Sequence, residues 1–246
     1  MDFKGKVVLI TGGSRGIGRS IAEEFGRLGA TVIINYKNND RAANETLSCI
    51  RGLGGYATSI KGDVSDYIFV KDMIESIVKK FGKIDVLVNN AGISKVGLFI
   101  DMEEGDFDNI INTNLKSIFN CCHNAAKYML EKKSGSIVNI SSMWGQVGAS
   151  CEVIYSASKG AVNSFTKALG KELGPSGIRV NAIQPGVIDT EMNSWMSKEE
   201  RKSIEMEIPM MKFGSGEDIA RLAAFLASDS AKYITAQVVT VDGGYI

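Results

Sequence analysis

Short runs of β-branched and aliphatic residues alternate with longer stretches of helical periodicity along the whole chain, and this alternation limits the fold more than any other feature. "KVVLIT" is followed by a helical pattern from about Gly16 to Leu28, "ATVIIN" by one near Asp40 to Leu53, and "YATSIKGDV" by one near Tyr67 to Phe81; then comes "IDVLVNNAG". Continuous apolar runs are what strands buried on both faces show, and strands separated by helices pair in parallel. The second half keeps the rhythm: a long helical stretch from about Glu103 to Lys132, "GSIVNISS", a helix from Tyr155 to Leu173, "IRVNAIQPG", a helix from Glu217 to Ala227 and "AQVVTVDGG".

The expected fold class is therefore α/β: a single-domain, Rossmann-like, doubly wound sheet of seven parallel strands over residues 1–246, with helices on both faces. Ligands of such sheets bind beyond the carboxyl ends of the strands, so residues just after strands are the candidates. Lys+Arg and Asp+Glu both number 28, which leaves no global field to attract nucleic acid or an anionic membrane. The N-terminal "MDFKGKVVLITGG" has an acid at Asp2 and an apolar run only from Val7 to Ile10, so neither a signal peptide nor a membrane span is expected. Cys49, Cys121, Cys122 and Cys151 show no metal-binding spacing, and His123 is the only histidine; a reduced, cytoplasmic protein without metal is expected. One segment differs in texture: residues 189–212 carry Met192, Trp195, Met196, Met206, Met210 and Met211, a flexible apolar set suited to a substrate lid or to docking on the core.

"TGGSRGIG", Thr11 to Gly18, sits directly after the first strand and opens the first helix. Gly12, Gly16 and Gly18 let the backbone approach a diphosphate, and Ser14, Arg15 and Ile17 complete a cradle at a helix N-terminus that favours anions. The second strand ends "INYKNN", without the acid that holds an unphosphorylated ribose. Asn35 is expected in that place, and Arg15 with Lys37 can meet a 2'-phosphate, which points to NADP(H) over NAD(H).

"TGGSRGIG", "NNAG" at Asn89 to Gly92, "NTNL" at Asn112 to Leu115, Ser142, "YSASK" at Tyr155 to Lys159 and "PGVIDT" at Pro185 to Thr190 occur in this order. On these motifs the chain resembles the short-chain dehydrogenase/reductase family over essentially its whole length. The resemblance implies Asn114, Ser142, Tyr155 and Lys159 as the catalytic set. It also implies that Asp63 and Val64 flank the adenine, that Asn89, Asn90, Ala91 and Gly92 line the cofactor cleft, that Pro185 and Gly186 bind the cofactor, and that Ile188 and Thr190 contact the nicotinamide. Lys159 would hold the nicotinamide ribose, and Asn114 a water through which Lys159 returns a proton.

Chemistry supports the set independently. Hydride reaching a carbonyl carbon leaves negative charge on the oxygen, which needs a proton donor and a hydrogen-bond donor. Tyr155 is the candidate acid and Ser142 the candidate carbonyl anchor. Tyr155 and Lys159 share one helix face, one turn apart. A unit charge about 4 Å away at an effective dielectric of about 20 is worth about 4 kcal/mol. That is roughly what lowering a phenol from about 10 to about 7 requires, so Lys159 is expected to lower Tyr155.

"INTNLKSIF", "FGSGEDIA", "FLASD", "YIT" and "VDGG" resemble the bacterial 3-oxoacyl-[acyl-carrier-protein] reductases, which implies reduction of a 3-oxoacyl thioester in fatty-acid synthesis. Two places depart from that pattern: "ISKVGLFIDM" after "NNAG", and Ser176, where a basic residue is common. "WGQVGASCEVIYS", Trp144 to Ser156, instead resembles the elongation factor P 5-aminopentanone reductases, with Glu152 placed to receive a substrate amine. Both branches stay open, as does a catalytically silent NADP(H)-binding sensor. The resemblance further implies a homotetramer, with a dimer as the alternative; Ala161, Val162, Phe165, Leu169 and the terminal "VDGGYI" resemble its surfaces, although the same apolar periodicity also fits ordinary core.

Overall fold

The computed structural model describes residues 1–193 and 196–246. Its strands are β1 (Val7–Ile10), β2 (Thr31–Tyr36), β3 (Tyr56–Lys61), β4 (Val86–Asn89), β5 (Gly135–Ile140), β6 (Ile178–Pro185) and β7 (Val238–Val241). All pair in parallel in the order β3-β2-β1-β4-β5-β6-β7. The chain grows outward from β1 to β3, then crosses back to lay β4 on the other side of β1. This reversal separates the loops after β1 and β4 and opens a crevice at their carboxyl ends, where doubly wound sheets take ligands.

The helices are α1 (Gly16–Arg27), α2 (Asp40–Gly52), α3 (Tyr67–Phe81), α4 (Glu104–Ile111), α5 (Ser117–Lys132), α6 (Trp144–Val147), α7 (Val153–Leu173), α8 (Lys198–Glu207) and α9 (Gly216–Ala227). Short polar side chains start several of them. Asn39 accepts from the Ala42 amide at α2, Asp66 from Ile68 and Phe69 at α3, and Ser215 with Asp218 forms a capping box at α9. Alternate residues of β1 feed opposite faces of the sheet. Val8 and Ile10 pack with Ile21, Phe25, Leu47, Ile219 and Ala223 beneath α1, α2 and α9. Val7 and Leu9 pack with Ile74, Ile77, Cys121, Met129 and Val162 beneath α3, α5 and α7. Each fully buried Ile or Leu contributes about 1.5–3 kcal/mol by leaving water.

The stretch expected as one helix from Glu103 to Lys132 is interrupted. Asn112–Lys116 forms a π-helical turn between α4 and α5. At its centre Asn114 is fully buried and bonded to both backbone groups of Ile93, a tertiary demand that helical periodicity does not reveal. Of the two readings of the apolar side of α7, subunit surface or core, part goes to the core. Val162 is wholly buried, and Phe165 and Leu169 pack against the chain's own core, because that side of α7 faces the sheet. Phe107 and Phe119, on α4 and α5, are large apolar side chains left exposed nearby.

Within residues 189–212, α8 is fastened at its first turn. Arg201 donates to both carboxylate oxygens of Asp189 at 3.0 and 2.8 Å and lies over the Phe213 ring at 4.6 Å. Met206, Met210 and Met211 are exposed; Trp195 and the Met192 side chain lie outside the described residues. No helix among the described residues is long and apolar enough to cross a membrane.

Candidate active site

The loop after β1 requires its glycines. Gly12 has φ +63, and a Cβ there would fall 2.9 Å from the Ala91 Cα. At Gly18 a Cβ would stand 2.2 Å from the Gly12 carbonyl oxygen and 2.4 Å from Asn90 Nδ2, so no other residue fits without displacing backbone. Arg15 precedes α1 without a side-chain cap, which leaves the amides of the first turn free of any capping acceptor from that residue. The loop is clasped to the turn after β4. Thr11 Oγ1 accepts from the amides of Asn90 and Ala91 at 3.0 and 3.1 Å, while Asn90 Nδ2 donates to the carbonyls of Thr11 and Gly12 at 3.1 and 3.0 Å. Asn90 belongs to the stretch expected at the cleft, but its clasp to Thr11 is not visible in the sequence.

Ser142, Tyr155, Lys159 and Asn114 come together at the carboxyl ends of β4 and β5. Ser142 follows β5, and its hydroxyl accepts from the Trp144 amide at 3.2 Å. Neighbouring Ser141 donates to the Lys159 carbonyl at 3.1 Å, tying this loop to α7. Helix α7 begins at Val153, so Tyr155 lies in its first turn, and Lys159 stands one turn on with Nζ 5.6 Å from the phenol ring centroid. The Lys159 side chain is 4% exposed, and its ammonium donates to the Ile140 carbonyl at 2.9 Å. Asn114 accepts from the Ile93 amide at 2.8 Å, donates to the Ile93 carbonyl at 2.9 Å, and donates to Ser158 Oγ at 3.0 Å. A Cβ on Gly92 would lie 3.4 Å from both Asn114 Oδ1 and Lys159 Nζ, so this glycine keeps the approach to the lysine clear.

The electrostatics correct one expectation. Burial pushes the Tyr155 phenol up to about 12; a hydrogen-bonding contact with Ser142 draws it down, and the Glu152 carboxylate raises it further. Burial lowers Lys159 to about 8. Lys159 is not among the groups that move the phenol in this arrangement: its ammonium donates to Ile140, and desolvation of the hydroxyl is the largest influence. At neutral pH the phenol keeps its proton, as a donor must. Glu152, just before α7, accepts from the Ser94 hydroxyl and so joins the loop after β4 to α7.

The expected cofactor residues divide. Ile188, Gly186 and Pro185 lie at or just beyond the end of β6, and Thr190 lies beside the glycine loop, its Cγ2 3.7 Å from where a Gly16 Cβ would be. Ser14 is buried, with its carbonyl accepting from Thr46 at 2.9 Å; Ile17 packs against the core beneath α1. Asp63 and Val64 follow β3, where Asn120 Nδ2 donates to the Val64 carbonyl at 3.0 Å. Two asparagines turn away from the crevice. Asn35 is 2% exposed and its amide donates to the carbonyls of Ile60 and Gly62 at 3.3 and 3.0 Å, because strand alternation points it inward; it pins β2 to β3. Asn89 likewise donates to Asn139 Oδ1 at 2.8 Å inside the sheet. Lys37 pairs with Asp63 at 2.6 Å, and Arg15 with Glu191 at 3.2 Å. His123 stacks on Phe119 on the outer side of α5, and the Cys151 carbonyl, at φ +62, accepts from the Gly97 amide at 2.9 Å.

Residues 12–246 match the family described as enoyl-(acyl carrier protein) reductase. The 3-oxoacyl-[acyl-carrier-protein] reductase FabG of Staphylococcus aureus (strain Mu50) is 44% identical over 239 residues, 97% of each chain. The protein of the same name from Thermotoga maritima is 41% identical over 249 residues, 100% of each chain. Among solved structures, one provisionally assigned as a short-chain alcohol dehydrogenase from Sinorhizobium meliloti 1021 superposes with a TM-score of 0.94 at 36% identity, over 99% of this chain and 97% of that one. Another, provisionally assigned as a gluconate dehydrogenase from Agrobacterium tumefaciens, gives 0.95 at 31% identity with the same coverage, 99% and 97%.

Proposed function

The chain belongs to the short-chain dehydrogenase/reductase family and is an NADP(H)-dependent oxidoreductase of a ketone/alcohol pair, and on that premise we propose that it reduces the 3-oxo group of an acyl chain carried on acyl carrier protein, in fatty-acid synthesis. The observation that carries the chemistry is the Tyr155 phenol, protonated by burial, beside Ser142 and one turn from the Lys159 ammonium. The carrier rests on the likeness to the FabG proteins.

The residues present fit the cofactor: a loop that admits only glycine at Gly12 and Gly18, and an α1 terminus without a cap. Gly12, Ser14, Arg15, Gly16, Ile17 and Gly18 would hold its diphosphate, Arg15 and Lys37 its 2'-phosphate, Asp63 and Val64 its adenine, and Lys159 its nicotinamide ribose. Bound NADPH supplies the hydride. Ser142 fixes the ketone oxygen, and Tyr155 gives that oxygen its proton as negative charge develops there. Lys159, one turn along the helix, can then return a proton to the phenolate left behind through a water held at Asn114. The 189–212 segment closes over the acyl chain with its exposed methionines.

One observation favours a second reading. Glu152 lies close enough to raise Tyr155, and it holds Ser94 across the cleft. A carboxylate there suits the ammonium of an aminoketone, as on a modified elongation factor P, better than a neutral thioester. The deciding assay is NADPH oxidation with acetoacetyl-acyl carrier protein against a small aminoketone. Carrier-dependent thioester reduction supports the first reading; turnover of the aminoketone alone overturns it for the second, and stoichiometric NADPH binding without turnover of any ketone overturns both. The protein is proposed to be cytoplasmic and a homotetramer; a concentration-independent monomer in sedimentation refutes the latter.

A further inference from the structure

Helix α2 buries Ala42, Ala43, Thr46, Leu47 and Ile50, and among these Thr46 alone brings a hydroxyl into the core. A valine would fill the same space, whereas a buried hydroxyl costs free energy unless it is bonded. Serine and threonine on a helix can meet that need locally by donating to the carbonyl one turn back, as Ser48 does to Asn44 on the same helix and Thr166 to Val162 on α7. Thr46 reaches elsewhere. Its hydroxyl donates at 2.9 Å to the carbonyl of Ser14, 32 positions away in the loop between β1 and α1. That loop is already clasped at Thr11 and bonded from the Gly13 amide to the Asn35 carbonyl at 3.0 Å, so the Ser14 carbonyl is its last backbone tether to another element before α1 begins. A trans peptide sets its carbonyl and its N–H on opposite sides, and no cis peptide occurs among the described residues. With the Ser14 carbonyl drawn to α2, the Arg15 N–H is turned away from α2, beside the uncapped first turn of α1.

We propose that Thr46 is a positioning residue for the cofactor's phosphates: by holding the Ser14 carbonyl it fixes the peptide between Ser14 and Arg15, so that the Arg15 amide joins the first-turn amides of α1 in facing the anion. Without the hydroxyl the carbonyl loses this donor, the peptide can turn, and the amide is no longer aimed in advance of binding. Thr46 itself touches neither cofactor nor ketone; it acts through the loop. The inference deepens the cofactor reading and rests on residues 12–18 being the phosphate cradle.

The test compares three variants of the whole chain: Thr46→Val keeps the shape and removes the donor, Thr46→Ser keeps the donor, and Thr46→Ala removes both. In fluorescence titration Thr46→Val is expected to raise the Kd for NADPH about two- to tenfold, the range of one neutral hydrogen bond, while Thr46→Ser stays within about twofold of wild type. Steady-state reduction should show the same rise in KM for NADPH, with kcat at saturating cofactor unchanged. Titration with NADH tells which phosphate is served: an equal rise assigns the diphosphate common to both cofactors, a rise for NADPH alone the 2'-phosphate, and either supports the proposal. An unchanged NADPH Kd in Thr46→Val, an equal loss in Thr46→Ser, or a loss that follows urea stability across the three variants instead of the presence of the hydroxyl overturns it. Arg15→Gln separates this failure from that of the premise. If it weakens NADPH binding while Thr46→Val does not, only the role of Thr46 fails; if neither variant changes the Kd, the cradle reading fails with it.

Discussion

Replacing Lys159 by Met should make the protein more stable while abolishing its chemistry. The side chain is 4% exposed, and burial has brought its ammonium from 10.5 to about 8. In the unfolded chain the same group titrates at its ordinary value, so below pH 8 the folded state keeps a charge it holds less well than water does. A tenfold loss of proton affinity on folding corresponds to about 1.4 kcal/mol, which puts the cost near ~3 kcal/mol at pH 7. The sign follows from proton counting: between pH 8 and 10.5 the unfolded chain binds more protons than the folded one, so the wild-type protein gains stability as pH rises. By about pH 9.5 the cost has fallen to less than half of that. Met fills a similar volume, but leaves the Ile140 carbonyl without its donor at 2.9 Å, which offsets about 1 kcal/mol of the gain. The net gain at pH 7 is then about 2 kcal/mol, a rise in Tm of about 4–8 °C for a chain of this size. Urea unfolding of the cofactor-free protein at pH 7 and pH 9.5 measures it. A Lys159→Met variant no more stable than wild type at pH 7, or one whose advantage does not shrink at pH 9.5, refutes the reasoning.

Tyr155→Phe should lower ketone reduction by about 10²–10⁴-fold, the usual worth of a positioned acid, while NADPH affinity measured by fluorescence stays within about twofold. Because the phenol titrates near 12, wild-type reduction should show no loss from Tyr155 ionisation between about pH 6 and 9, as a pH–rate profile would reveal. Asn35→Ala should cost about 1–3 kcal/mol in urea unfolding by orphaning the Ile60 and Gly62 carbonyls, yet leave the NADPH-to-NADH ratio of Kd values unchanged; a shifted ratio would put Asn35 at the ribose after all.

The contrast between Asn35 and Lys159 shows what a sequence of this kind discloses. Strand and helix order was legible because buried parallel strands leave unbroken apolar runs, and Asn39, Asp66 and Ser215 mark helix starts close to the expected places. The spacing of Tyr155 and Lys159 disclosed their shared face, since four residues make about one helical turn. Their ionisation was not legible, because it depends on desolvation and on the Ile140 carbonyl, which arrives from another element. Strand alternation could have turned Asn35 inward, but only with the strand's register known; at a strand end a one-residue shift reverses the face. The Thr11–Asn90 clasp and the Ser94–Glu152 contact join residues 79 and 58 positions apart, beyond any local pattern.

The π-helical turn at Asn112–Lys116 acts as a phase adjuster between two rigid rods. A wide turn holds about one residue more than an ordinary one, and each residue rotates a helix by about 100°. With the turn in place, Asn114 faces Ile93 and Ser158 while Cys121, Ala125 and Met129 still meet the sheet. Losing one residue there would let the rods fuse into a continuous helix that can satisfy the crevice or the core, but not both. The interruption is thus the means by which a crevice-facing amide and a structural face share one stretch of chain, and the segment's length is under tighter constraint than its composition.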